Sequence, residues 1–530
     1  MKSIALYRSA LGNTTDKVDP QQRLSGKNGL GIALGALSSI ETSPDALSEA
    51  AATFREILAL STPAPDAAVF QSNLGNALLK LGERENGTGK LHQAVAAYQE
   101  ASKIWTRQQF PLDWATLESN LGYAFQLIGQ REARHELLAA SVTAYRRALE
   151  EWTRDLVPMY WASAQSNLGN TLKIIGEREA GTESLELATR AYREALGEQS
   201  VERDPLAWAE LQNNLGAALM LIADRRGDLG SLRDAVSALR ESLKVRTREA
   251  APTGFASSSN NLGVALIRLG EWEDDPARFE EAVRAFRAAL DVWTAENWPH
   301  RRSIATRNLG DALTALGKRR KSRSILKEAI EAYGTSPANN LGRAAVRYVL
   351  GEWEPGTELL EAAAEEYEDA LSGNSADDAP FGRAGATFNF GNVLRLLGVR
   401  KKAPLYLQRA LEHHALACRF ALSQTPYWAF RAAHAAVEDL KLLQELSPAN
   451  HQSVSQRYRW VAELPSKHDG HQIALMPRFL AAVAGTSGTV EPNWKLAPYK
   501  GDRIRDGSVV WENAGAQSYC LQCKSFLVPG

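Results

Sequence analysis

The chain has 530 residues, with 61 Lys+Arg against 62 Asp+Glu, 23% charged and 44% hydrophobic. It is too long for one ordinary domain and rich enough in apolar residues to build a core. Its near-zero net charge gives no support for wrapping nucleic acid or for lying on a membrane surface. No run approaches the roughly 18 apolar residues of a membrane-spanning helix. The first residues lack a secretory-signal pattern. Three cysteines exclude a disulfide scaffold and fit a reducing compartment, here read as the cytoplasm.

The first element, Ile4 to Leu11, has the spacing of a helix seen again at Val142 to Leu149. The array therefore begins halfway through a repeat. Residues 1–25 are either a capping half-repeat or the remainder of a longer protein with an upstream domain. A repeat follows. Gly75, Gly122, Gly169, Gly216, Gly263 and Gly310 each end an Asn-Leu-Gly triplet and lie 47 residues apart, five times running. Further anchors are Gly31, Gly342 (32 after Gly310) and Gly391, nine in all. At +23 from the Gly stand Tyr98, Tyr145, Tyr192, Leu239, Phe286 and Tyr333. At +26 stand Ala101, Ala148, Ala195, Ser242 and Ala289. At +36 stand Pro111, Pro158, Pro205, Pro252 and Pro299. Proline is tolerated at a helix start and not inside one, so each repeat reads as helix A, turn, helix B, loop. Small residues at the anchor and at +26 let the helices approach while the aromatic fills the space beside them. The recurrent Gly82-Glu83-Arg84-Glu85 pattern reads as the A–B turn. Trp105, Trp152 and Trp293, and Trp114, Trp161 and Trp208, recur in register and read as packing between repeats.

The Leu-Gly, aromatic and alanine pattern resembles the tetratricopeptide repeat (TPR), with all offsets lengthened by about seven residues. The resemblance covers residues 26–446. It implies an all-α fold: an α-solenoid of about nine TPR-like helix pairs in a right-handed superhelix. A helix opened by Pro426 closes the array, because a terminal repeat must cover the last apolar face.

Residues 447–530 lose the register and form a short irregular or small-β tail. Residues 478–515 resemble a short module of phage and prophage surface proteins, through Gly485-Thr486-Ser487-Gly488, Glu491-Pro492-Asn493-Trp494 and the Asp506-Gly507 turn before Val509 to Trp511. His468, His471, Cys520 and Cys523 are a candidate zinc set, but 48 residues between His471 and Cys520 exceed the span of a compact finger. His413, His414 and Cys418 read as packing on the last helix B. Gly87-Thr88-Gly89-Lys90 lacks a phosphate-loop frame. No nucleophile elbow, dinucleotide fingerprint or HExxH is present, so no enzyme and no cofactor are expected.

The expected function is a non-catalytic scaffold that binds a peptide segment of a partner protein in the concave groove. Two alternatives stay open: a regulatory arm of a larger signalling protein whose catalytic domain is absent, and a phage-derived accessory or surface protein. Asn73, Asn120, Asn167, Asn214, Asn261, Asn308 and Asn340 share one helical position. The resemblance implies that they bond a peptide backbone; equally, they could tie each helix to its neighbour. The resemblance also places positions −6, −3, +1, +4 and +5 on the concave side. Across the repeats from Gly75 to Gly391 these carry seven basic residues, Lys80, Lys173, Arg268, Arg307, Arg343, Arg347 and Arg395, against Glu210 and Asp311. The expectation is a basic stretch in the C-terminal half, suited to an acidic segment or a C-terminal carboxylate. The N-terminal half, with Ser72, Ser119, Ser166, Asn76 and Asn170, would be polar and nearly neutral.

Overall fold

The computed structural model describes residues 4–8, 20–37, 45–60, 64–372, 380–422 and 426–458, and strands at 494–498, 511–514, 517–520 and 525–529. Nineteen α-helices fall between Pro20 and Leu446 among the described residues. They alternate as helix A and helix B of nine TPR-like pairs, followed by Pro426–Leu446. The architecture is an all-α helical-repeat solenoid. The chain divides into two compact bodies, Met1–Asn261 and Leu262–Gly530.

Within the first body the A helices include Ala64–Arg84, Pro111–Arg131, Pro158–Arg178 and Pro205–Arg226. Pro111, Pro158 and Pro205 each open a helix, where the missing N–H costs nothing. The anchor glycine admits the B-helix aromatic. A Cβ on Gly75 would lie 2.5 Å from Cε1 of Tyr98, and one on Gly169 would lie 2.7 Å from Cε1 of Tyr192. The Tyr98, Tyr145 and Tyr192 rings are completely buried there.

The Gly-Glu-Arg-Glu pattern is not a turn. Gly82–Arg84 and Gly176–Arg178 are the last residues of their A helices. A Cβ on Gly82 or Gly176 would meet Leu91 or Leu185 of the following helix B at 2.5 and 2.7 Å. The extra residues of the long repeat thus lengthen the helices, and the glycine one face-repeat further on permits a second close crossing. The arginine has its own work. A helix C-terminus leaves carbonyls without partners, and the next repeat supplies them with donors. Arg131 donates to the carbonyls of Gly82 (2.6 Å), Glu85 (2.8 Å) and Gly87 (2.9 Å). Arg225 reaches Gly181 in the same way, at 2.5 Å.

The recurrent tryptophans pack between repeats, as their register implies. Trp152 is buried and its ring lies 5.1 Å from that of Tyr160. Arg107 lies over Trp114 at 5.2 Å and pairs with Glu151 at 2.6 Å. Arg154 repeats the arrangement with Trp161 and Glu198, at 5.7 and 2.5 Å.

The second body departs from the 47-residue spacing most at Gly310 to Gly342, which lie only 32 residues apart. Helix B Arg323–Tyr333 is short, a 3-10 turn at Pro337–Asn339 follows, and helix A Asn340–Trp353 starts almost at its own anchor. This repeat lacks the N-terminal half of helix A. As a result Tyr333 touches two anchors: Cβ atoms on Gly310 and on Gly342 would each lie 2.6 Å from its Cε1.

The tail strands form one antiparallel sheet in the order Trp494–Pro498, Ser525–Pro529, Gln517–Cys520, Trp511–Ala514. Trp494 faces Pro529, Ser518 faces Leu527 and Trp511 faces Cys520. The sheet runs past residue 515, so it is larger than the module read from the sequence. Val509 and the Asp506-Gly507 turn lie outside the described residues. So do His468, His471 and Cys523, while Cys520 ends a strand. No metal-binding cluster of His, Cys, Asp or Glu occurs among the described residues. No described helix is long and apolar enough to cross a membrane.

Candidate functional site

The asparagines at the shared position mostly bond their neighbours. Asn120 Nδ2 donates to Asn76 Oδ1 at 3.2 Å, and Asn214 Nδ2 to Asn170 Oδ1 at 3.0 Å. The same two acceptors take the hydroxyls of Tyr98 and Tyr192, both at 2.8 Å. Asn73 reaches Asn28 at 3.2 Å, and Asn261 reaches Asn213 at 3.1 Å. One oxygen thereby joins helix A, helix B and the next helix A. Half-buried Asn167 has no such acceptor, because Tyr123 replaces the asparagine and donates to Glu83 at 2.6 Å. Asn76 and Asn170, read from sequence as lining a groove, are the joints of this ladder.

The expected basic stretch is corrected in three places. Arg343 is buried and bonds Glu366 (2.7 Å), the carbonyls of Gly334 (2.6 Å) and Ser336 (3.0 Å), and Asn340 Oδ1. Arg347 pairs with the same Glu366. Arg395 pairs with buried Asp439 at 2.5 Å and donates to the Ala435 carbonyl at 2.6 Å. These arginines neutralise carboxylates on neighbouring helices, so they do not form a free basic surface. Lys173 pairs with Glu177 at 2.6 Å, while Lys80 and Arg307 are exposed.

His414 occupies the +23 place of the last repeat. Its Nε2 lies 3.2 Å from Asn392 Oδ1, as a tyrosine hydroxyl would, and its Nδ1 lies 2.5 Å from Asp439. It belongs to the packing scheme, as does Cys418, which is buried.

Two of the predicted residues come together in a pocket. Beside the shortened repeat, a cavity of about 530 Å³ opens within the second body. Val264, Ile267, Arg268 and Glu271 of helix Pro252–Glu273 form one wall. Asn308, Asp311, Thr314, Ala315 and Lys318 of helix Pro299–Arg320 form the floor, at the i, i+3, i+7 spacing of a single helix face. Tyr333, Gly342 and Ala345 complete it. The missing half of helix A and the small residues at Gly342 and Ala345 leave the space unfilled.

The floor carries unmatched charge. Asp311 accepts from the Tyr333 hydroxyl at 2.6 Å. Desolvation by the surrounding walls nevertheless pushes its carboxyl above the usual range, against the pull of Tyr333 and Arg307. Desolvation also lowers the Lys318 ammonium, opposed by Glu352 and aided by Arg319. Both residues are nevertheless exposed, because a concave wall can crowd a group without covering it. Among the described residues, the Lys318 side chain makes no ion pair or hydrogen bond. Arg319 is occupied, with Asp274 at 2.9 Å and the face of Phe279 at 4.4 Å. Sequence reasoning missed Lys318 and assigned Asp311 no role, although the 32-residue spacing marked this repeat as different.

No protein-family model and no curated protein sequence matches the chain. Solved structures resemble it at a distance. The apo form of RapI covers 74% of this chain and 97% of its own, at 13% identity and a TM-score of 0.42. The apo quorum sensor NprR from B. thuringiensis covers 69% and 92%, at 14% identity and 0.41. A Rap protein complexed with competence and sporulation factor covers 76% and 100%, at 13% identity and 0.36.

Proposed function

We propose that this chain is a non-catalytic protein-interaction scaffold that holds a peptide segment of its partner in the pocket beside Gly342. One observation carries the reading. In the regular repeats of Gly75 and Gly169, the asparagine and tyrosine side chains of the A–B crossing bond one another. Where the repeat is shortened, a cavity of about 530 Å³ opens, with Asp311 and Lys318 on its floor, neither of which makes an ion pair among the described residues. That volume lies within the range of about 300–1,000 Å³ typical of ligand pockets. Apolar Val264, Ile267 and Ala315 offer contact area, and Asn308 and Thr314 offer polar contacts to an extended backbone.

Selection from a random dodecapeptide library against the full chain, with an Ala345→Trp chain for counter-selection, tests this reading. Ala345 is half-buried on the pocket wall, so the indole fills space without entering a core. The reading expects peptides that bind the wild-type chain and lose most of their affinity for the variant. If every selected peptide binds both chains equally, the pocket is not the site.

A further inference from the structure

The pocket's charges have a fixed order along one helix. Asp311 and Lys318 are seven residues apart on helix Pro299–Arg320, with Thr314 and Ala315 between them. At about 1.5 Å rise per residue they are separated by roughly 10.5 Å along the axis. A peptide extended as polyproline II advances about 3.1 Å per residue with three residues per turn, so side chains three apart share one face and lie about 9.3 Å apart, close to that gap. Tyr333 occupies Asp311 Oδ1, and among the described residues no hydrogen bond engages Oδ2. Arg307 and Glu352 lie near enough to act on Asp311 and Lys318 through the field, but neither makes an ion pair with them. Across the pocket, Arg268 and Glu271 add one charge of each sign.

A uniformly acidic ligand would bring one of its charges against Asp311, and a uniformly basic one would do the same at Lys318. Like charges brought side by side repel, which is how such a site rejects wrong partners. We infer that the pocket selects an extended peptide segment carrying one basic and one acidic side chain three residues apart, the basic one against Asp311 and the acidic one against Lys318. This rests on the peptide-binding reading above and replaces the uniformly acidic partner expected from counting charges on the A helices.

The desolvation of both floor residues supports the assignment, since each gains an opposite charge when such a segment binds. Asparagine can keep the Tyr333 bond, as Asn76 and Asn170 show with Tyr98 and Tyr192. Asp311→Asn therefore removes the charge with the joint intact.

The test uses peptides from the library selection, measured by fluorescence anisotropy on the full chain, on Asp311→Asn and on Lys318→Gln, with folding checked by circular dichroism. The selected peptides are expected to share a basic and an acidic residue at three-residue spacing. Replacing the basic residue by alanine should weaken binding to the wild-type chain about tenfold and change binding to Asp311→Asn little. Replacing the acidic residue should behave likewise with Lys318→Gln. Such paired losses measure direct coupling. Pocket-dependent peptides with no such charge pair, or with additive losses, would overturn this inference and leave the scaffold reading standing. A selection without pocket-dependent peptides would overturn both.

Discussion

The Tyr333 hydroxyl donates to Asp311 Oδ1 at 2.6 Å, in the place where Tyr98 and Tyr192 donate to Asn76 and Asn170. A carboxylate stands at this joint, where Asn76 and Asn170 present an amide oxygen. That joint lies beside the shortened repeat and faces the pocket.

Asp311→Asn should raise the melting temperature at neutral pH. The carboxyl's pKa is raised above its ordinary 3.8, so the folded state bears a cost whenever the group is ionised. That cost is complete well above the folded pKa and is relieved as pH falls through it. The gain from the substitution should therefore shrink in acid. Lys318→Gln should show the opposite dependence, with a gain at neutral pH that fades as pH rises toward the ordinary lysine value of 10.5. Thermal melts across pH check both. Stabilisation of this kind is common where a site is held ready for a ligand.

Arg131→Met should destabilise the first body by about 2 kcal/mol, since it removes charge-assisted bonds to several carbonyls at a helix end. The methionine keeps most of the apolar stem. Urea denaturation of the variant would show the loss, and an unchanged midpoint would mean that water satisfies those carbonyls equally well.

Asn120→Ala and Asn214→Ala should each cost about 1 kcal/mol, the usual net value of a hydrogen bond. Their joints are remote from one another, so the double substitution should be near additive. Peptide binding in the second body should be unaffected. A loss of binding with unchanged stability would restore the asparagines as ligand contacts.

His413 lies against Phe390, ring centroids 4.4 Å apart, with a buried Nδ1 that has no partner. Desolvation, then Arg409 and His414, lower its pKa from 6.5 to about 4. The folded state thus favours the neutral ring. Its stability should be complete above pH 6.5 and should decline as pH falls toward about 4. His413→Leu should flatten that part of the stability profile, measured by chemical denaturation at each pH.

The repeat, its helix boundaries near each proline, and the packing of tyrosine on glycine were all legible in the sequence, because they recur at fixed spacing. The ladder was only half legible. The donors Asn120 and Asn214 were visible as a row, but their acceptors Asn76 and Asn170 lie 44 residues earlier in a neighbouring helix. Nothing in the repeat itself says how adjacent helices are staggered. The Gly-Glu-Arg pattern misled for a related reason: glycine suggested a turn, where it serves a close crossing inside a helix. Counting charge along the A helices failed at Arg343 and Arg347, because both are neutralised by Glu366 on helix B. The 32-residue spacing was plain, yet its consequence depends on which surfaces the missing half-helix would have covered.

Photo-crosslinking bears most directly on the central claim. A library-selected peptide carrying a photoreactive group would be crosslinked to the full chain, and the sites located by mass spectrometry. The account predicts adducts concentrated on residues 264–271, 308–318 and 345, and their loss in the Ala345→Trp chain. Adducts confined to the A helices of the first body, or undiminished in that variant, would contradict it.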